Sequence, residues 1–232
     1  MMVTAIVLAG GTGTRLGSDT PKQYLEVGQR PVISYCLERF QLHSMVDAIV
    51  IVAAKEWHDY ISQWIKKGKV SKFLGFAQAG SSRQHSVLNG LNKVLEIGVS
   101  ELDAVLIHDA ARPNVSEKMI TECIQRLSGA DGAMPVLPVK DTIYLSRTGK
   151  SIDSLLERDQ LFAGQSPECF NLCKYYAIHT GMSEEELAVV RGSSEIAYNH
   201  SLSVALIPGD ERNYKITTIA DLEKFKLEIE GV

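Results

Sequence analysis

Residues 3–24 read Val-Thr-Ala-Ile-Val-Leu-Ala-Gly-Gly-Thr-Gly-Thr-Arg-Leu-Gly-Ser-Asp-Thr-Pro-Lys-Gln-Tyr. A short β-type run, Val3–Leu8, passes directly into three closely spaced glycines, then into Arg15 and Lys22. Glycine allows φ > 0 and close backbone approach, so successive N–H groups can converge on phosphate oxygens. Arg15 and Lys22 add full positive charge where a polyphosphate would sit. A strand ending in such a loop predicts an α/β protein that cradles a nucleotide triphosphate.

Two familiar glycine loops do not match. A Walker A loop requires Gly-Lys-Ser/Thr, but Lys22 follows Pro21. The dinucleotide fingerprint requires a third glycine where Leu16 stands, and Gly17 comes one residue late. The next strand ends in Ala-Ala-Lys, with no acid to hold a ribose. A dehydrogenase is therefore disfavoured.

The remaining sequence supplies the scaffold. Strand-like runs Thr4–Leu8, Ala48–Ala53, Phe73–Ala79, Ala104–His108 and Ala133–Leu137 alternate with amphipathic stretches. The latter are Val32–Leu42, Lys55–Lys66, Arg83–Ile97 and Glu117–Leu127. This alternation predicts a mostly parallel sheet with helices on both faces, in a single domain spanning 1–232. Residues 139–157 break the pattern and predict a protruding β-hairpin arm. Helices near Leu172–His179 and Glu184–Val190, a strand Leu202–Pro208 and a helix Ile219–Glu230 follow. Thr218 and Asp221 form a capping-box signature before the last helix.

Among 232 residues, 45% are hydrophobic and the net charge is −4. That composition supports a sizeable core and offers no basic field for nucleic acid. Cys36, Cys123, Cys169 and Cys173 lack zinc-ligand spacing and read as buried free thiols. No signal peptide and no apolar run of about 18 residues is visible, so a soluble cytoplasmic protein without membrane partners is expected.

Three further segments carry chemistry. His108-Asp109-Ala110-Ala111-Arg112-Pro113 follows a buried strand, on the sheet edge where α/β proteins bind ligands. Asp109 there suits Mg²⁺ shared with a triphosphate, although an N-cap or a pair with Arg112 is the alternative. His108 reads as a structural hydrogen-bonder. Gly80-Ser81-Ser82-Arg83-Gln84-His85-Ser86 joins a strand to a helix, with small residues that admit a flat base. Near the C-terminus, Asn213-Tyr214-Lys215-Ile216-Thr217 places a lysine in a strand-like segment.

Taken in order, these segments resemble the 2-C-methyl-D-erythritol 4-phosphate cytidylyltransferase family, whose sister group acts on ribitol 5-phosphate. The resemblance covers nearly the whole chain and implies a three-layer α/β/α Rossmann-like nucleotidyltransferase fold. It implies that Ala9, Gly10, Gly11, Gly13, Gly80, Ser81, Arg83, Ser86 and Ala110 bind CTP. Arg15, Lys22 and Lys215 match catalytic cations, and Asp109 matches the metal-binding aspartate. Thr142, Arg158 and Ser194 fall where the polyol phosphate is bound. The 139–157 arm matches a segment exchanged between the subunits of a homodimer. The implied reaction joins CTP and 2-C-methyl-D-erythritol 4-phosphate, with Mg²⁺, into 4-diphosphocytidyl-2-C-methyl-D-erythritol and pyrophosphate, a step toward isoprenoid precursors. Alternatives are CDP-ribitol formation for cell-wall polymers and a non-catalytic CTP-binding protein. Four places depart from the family. Ser81 replaces a frequent Asp, Ser193-Ser194-Glu195 replaces Thr-Asp-Asp/Glu, and Tyr144 with Gln165–Glu168 matches neither subgroup.

Overall fold

Alternation of period two along the central strands decides where each side chain goes. The computed structural model describes residues 1–11, 20–96, 98, 100 and 102–231. In chain order it contains β1 (Val3–Leu8), β2 (Glu26–Val27), β3 (Arg30–Pro31), α1 (Val32–Leu42), β4 (Ala48–Ala53), α2 (His58–Lys67) and β5 (Phe73–Gln78). Next come α3 (Arg83–Leu95), β6 (Ala104–Asp109), α4 (Glu117–Arg126), β7 (Gly132–Pro138), β8 (Tyr144–Leu145), β9 (Ser154–Leu155), β10 (Phe162–Gly164) and β11 (Glu168–Asn171). The chain ends with α5 (Leu172–Gly181), α6 (Glu184–Val189), α7 (Ser193–Asn199), β12 (Val204–Pro208) and α8 (Ile219–Glu230).

The main sheet has the order β10-β7-β11-β6-β1-β4-β5, with β12 also paired to β7. β6, β1, β4 and β5 run parallel, which places the ends of β1, β5 and β6 at one edge. β10 and β11 both run antiparallel to β7. Val3, Ala5 and Val7 pack on one face with Phe40 of α1, Ile61 of α2 and Ile120 of α4. Ile6, Val50 and Val105 pack on the other with Val87 of α3, Tyr175 of α5 and Ile196 of α7. The result is three layers, since the central strands β1, β4 and β6, buried on both faces, need helices above and below. A third cluster joins Phe225 and Leu222 of α8 to Val32, Tyr35 and Ile216, fixing the C-terminal segment against the body.

Several expectations hold closely. β4 and α8 occupy the predicted ranges, and Thr218 and Asp221 complete a capping box. The anticipated helix over 55–66 is instead a short 3₁₀ turn, Lys55–Trp57, followed by α2. The predicted hairpin is present as the β8–β9 pair, Tyr144 opposite Leu155. Its apolar side chains face outward: Tyr144, Leu145, Ile152 and Leu155 are all exposed. β10, β11 and α7 have no counterpart in the sequence reading. All four cysteines are free, with Cys173 only partly buried. No helix among the described residues is long and apolar enough to cross a membrane.

Candidate nucleotide site

The parallel strand ends open into a cavity of about 460 Å³. Gly10, Gly11, Lys22, Gly80, Ser81, Arg83, Ser86, Asp109 and Lys215 line it, so residues from both ends of the chain converge there. Leu8, Gln23, Ser82, Ala111 and Thr217 complete the wall. Gly13 and Arg15 lie outside the described residues.

Close backbone approach explains two of the glycines. A Cβ on Gly10 would stand 2.5 Å from the Cβ of Ala79, just beyond β5. At Gly80 a Cβ would meet the His85 Cβ at 2.4 Å and the Ser86 nitrogen at 2.8 Å. A larger residue at position 10 would force the two loops apart, and one at position 80 would push the turn off the start of α3. Ser86 Oγ accepts from Gly80 N at 3.0 Å and donates to Ser82 O at 3.0 Å, closing the turn at the start of α3. Ser82 caps that helix by accepting from His85 N. His85 in turn contacts Ser81 Oγ and Ser82 Oγ, and its Nε2 lies 2.5 Å from Glu184.

Ala9 and Ala110 lie behind the cavity wall and are not among its lining residues. Ala9 donates its N–H to Val52 O, while its carbonyl accepts from Gln23 Nε2 at 2.6 Å and Tyr24 Oη at 2.8 Å. Ala110 donates to Leu8 O. Gln23 also donates to Gly11 O at 2.7 Å, which ties the segment carrying Lys22 to the glycine loop.

Asp109 forms the electrostatic centre. Lys215 Nζ donates to its Oδ2 at 2.9 Å, Arg83 Nη2 lies 3.5 Å from Oδ1, and Arg112 Nε lies 3.8 Å from Oδ2. Burial pushes the carboxyl pKa up, but Arg83 and then Lys215 hold it well below the usual range. Arg83 itself is raised: burial opposes its charge, but Asp109 and Glu168 overcome that cost. The alternative reading of Asp109, a pair with Arg112, therefore coexists with its place in the cavity.

Neighbouring residues hold this carboxylate still. Asp109 N donates to Ser166 Oγ at 3.1 Å, and Ser166 Oγ lies 3.2 Å from His108 Nδ1. His108 Nε2 lies 2.9 Å from Arg112 O, an acceptor, so Nε2 carries the proton and Nδ1 accepts from Ser166. Burial lowers the His108 pKa to about 4, keeping it neutral. Arg112 Nη1 donates to Asn213 O, Gln165 Nε2 donates to Asp210 O, and Ile216 N donates to Ala111 O. These bonds fix the segment from which Lys215 projects.

The residues expected at the acceptor end do not line the cavity. Thr142 and Arg158 are exposed on or beside the arm; Arg158 Nη1 donates to Lys140 O. Ser194 donates through both its backbone N and its hydroxyl to Glu168 Oε2, each at 2.7 Å. Sequence reasoning missed Glu168, Ser193 and Gln165 as contributors. The signals present were that residues 165–168 matched neither subgroup and that Ser193-Ser194-Glu195 departs from the family pattern.

A single hard oxygen donor at a polyphosphate cavity fits Mg²⁺, which keeps few protein ligands and completes its shell with phosphates and water. Asp109 meets that requirement. No group of three or more His, Cys, Asp or Glu able to hold a metal exists among the described residues.

Comparison with known proteins bears on the family and the fold. The profile of the 2-C-methyl-D-erythritol 4-phosphate cytidylyltransferase family matches residues 3–229. A ribitol-5-phosphate cytidylyltransferase of Lacticaseibacillus paracasei is 32% identical over 231 residues, covering 97% of each chain. A solved 4-diphosphocytidyl-2C-methyl-D-erythritol synthase superposes with a TM-score of 0.80 at 26% identity, over 98% of this chain and 99% of its own. Another, from Anaerococcus prevotii, gives 0.83 at 24% identity, over 99% and 96%.

Proposed function

We propose that this chain, which belongs to the 2-C-methyl-D-erythritol 4-phosphate cytidylyltransferase family, transfers the cytidylyl group of CTP to 2-C-methyl-D-erythritol 4-phosphate. The observation that carries the reading is the meeting of Lys22, Asp109 and Lys215 around one cavity, beside the two glycine turns. An acceptor phosphate oxygen attacks the α-phosphorus as the bond to the β-phosphate oxygen breaks, and pyrophosphate leaves with the electron pair. The nucleophile is already an anion, so no general base is needed. The barrier lies in bringing anions together, and positioning with fixed positive charge lowers it.

Lys22 and Arg15 are assigned to the triphosphate. Lys215 leaves Asp109 to meet phosphate oxygens at the reacting centre. Gly80, Ser81 and Ser86 take the base, with Arg83 beside them. The family has a divalent-cation requirement, and Asp109 is the residue that would hold Mg²⁺. When bound, the ion supplies charge against the triphosphate.

Thr142 and Arg158 are assigned to the acceptor phosphate of the partner subunit's cavity. Their exposure on an arm with outward apolar side chains supports a homodimer through 139–157. A second acceptor, ribitol 5-phosphate, is favoured by the 32% identical relative of that name. Pyrophosphate release measured with CTP, ATP, GTP and UTP, each with either polyol phosphate, tests the reading. Turnover with CTP and one polyol phosphate is expected. Binding of CTP without release in either mixture would refute it.

A further inference from the structure

Glu168 is an acid buried in a short strand of the sheet, only 6% exposed. Its Oε2 takes both donors of Ser194, while its Oε1 lies 3.2 Å from Arg83 Nη2. The same nitrogen reaches Asp109 at 3.5 Å, so one guanidinium edge lies between two carboxylates. Arg83 Nη1 donates to the buried Ser193 Oγ at 2.5 Å, anchoring the guanidinium on the Glu168 side.

Three cations therefore face Asp109 from different segments: Arg83 from α3, Arg112 from the turn after β6, and Lys215 from the C-terminal segment. Alone, that set would neutralise the carboxylate and repel any further cation. A freed guanidinium would also prefer a paired, two-bond contact with the nearest carboxylate. Glu168 opposes both effects by adding a second negative charge and drawing Arg83 away. Such interactions are strong in a poorly solvated wall.

We propose that Glu168 is a positioning residue that keeps Asp109 accessible to a divalent cation by limiting Arg83 to one 3.5 Å contact with it. The proposal rests on the reading of Asp109 as the metal-holding carboxylate. Charge, rather than hydrogen bonding to α7, is the operative property. Glu168→Gln has nearly the same shape but takes from Arg83 the carboxylate that competes with Asp109.

The test is a Mn²⁺ titration followed by electron paramagnetic resonance with CTP present, alongside the Mg²⁺ dependence of pyrophosphate release. Glu168→Gln is expected to weaken Mn²⁺ binding about tenfold or more and to raise the half-saturating Mg²⁺ by a similar factor. Glu168→Asp, which keeps the charge, should recover most of that loss. In the Mn²⁺ titration, which contains CTP and no acceptor, Ser194→Ala, which removes one donor to Glu168 but no charge, should keep Mn²⁺ affinity within about threefold of wild type. Thermal melts identify a variant that does not fold, and the Ser194→Ala and Glu168→Asp arms then decide. Unchanged Mn²⁺ affinity in folded Glu168→Gln would overturn the proposal, as would an equal loss in Ser194→Ala. A wild-type protein that binds Mn²⁺ with CTP but releases no pyrophosphate would refute the proposed reaction alone, because the binding comparison still reports on Glu168. Failure of wild type to bind Mn²⁺ with CTP would remove Asp109 as metal holder and this proposal with it.

Discussion

The nucleotide half and the acceptor half of the candidate site are built in different ways. Gly10, Gly80, Asp109 and Lys215 stand at strand ends or on segments bonded to them, so the core holds their geometry. Thr142 and Arg158 stand on or beside an arm whose two strands pair only with each other. Among the described residues one chain supplies the lining of the first half, whereas Thr142 and Arg158 stand outside that lining. The contrast also explains why one half can be derived from packing and the other only from resemblance.

The largest expected effect tests the first half. Lys22→Ala should lower turnover by about 10²–10³, the usual loss of a preorganised charge, with the melting temperature unchanged. Steady-state kinetics beside a thermal melt decides it, and wild-type turnover would dissolve the assignment. Next is the support beneath Asp109. Folded His108 titrates near 4, below its unfolded value of about 6.5, so the unfolded chain takes up the proton first. Its contribution is complete above about pH 6.5 and shrinks as pH falls toward 4, by on the order of 3 kcal/mol. His179, also held near 4 by burial, adds the same sign. Urea melts at pH 7 and 4.5 should show a smaller acid loss in His108→Asn than in wild type.

Two variants examine the arm. Arg158→Lys loses two-point phosphate contact and should raise the acceptor KM about tenfold while leaving the CTP KM near wild type. Equal damage to both substrates would make Arg158 structural. Leu155→Asp should change monomer stability by no more than about 0.5 kcal/mol, because the side chain is already exposed. Sedimentation should nevertheless show monomer where wild type is a dimer. A dimer that survives would place the subunit contact elsewhere.

Sequence made the nucleotide half legible because its elements are long and periodic. β1, β4 and β6 are dominated by apolar residues; the glycine loop follows β1, and Asp109 ends β6. The capping box of α8 was readable from two residues. β10 and β11 were not, since Phe-Ala-Gly and Glu-Cys-Phe-Asn are too short to show a period. Glu168 was hidden for a further reason: its significance comes from Arg83 and Ser194, both distant in sequence. Ala9 and Ala110 show the reverse limit. The resemblance places them at CTP, and their backbone groups bond β4, Gln23, Tyr24 and β1 behind the wall.

The contact between Gly10 and Ala79 carries one more consequence. Here two loops cross the end of β4 and stop against each other, so the gap between them is set by atoms that cannot rotate away. The pocket thus works as a fixed gauge: the walls that carry Gly10 and Ala79 keep one spacing. Enlarging residue 10 would reset the length of ligand accepted before it altered any charge.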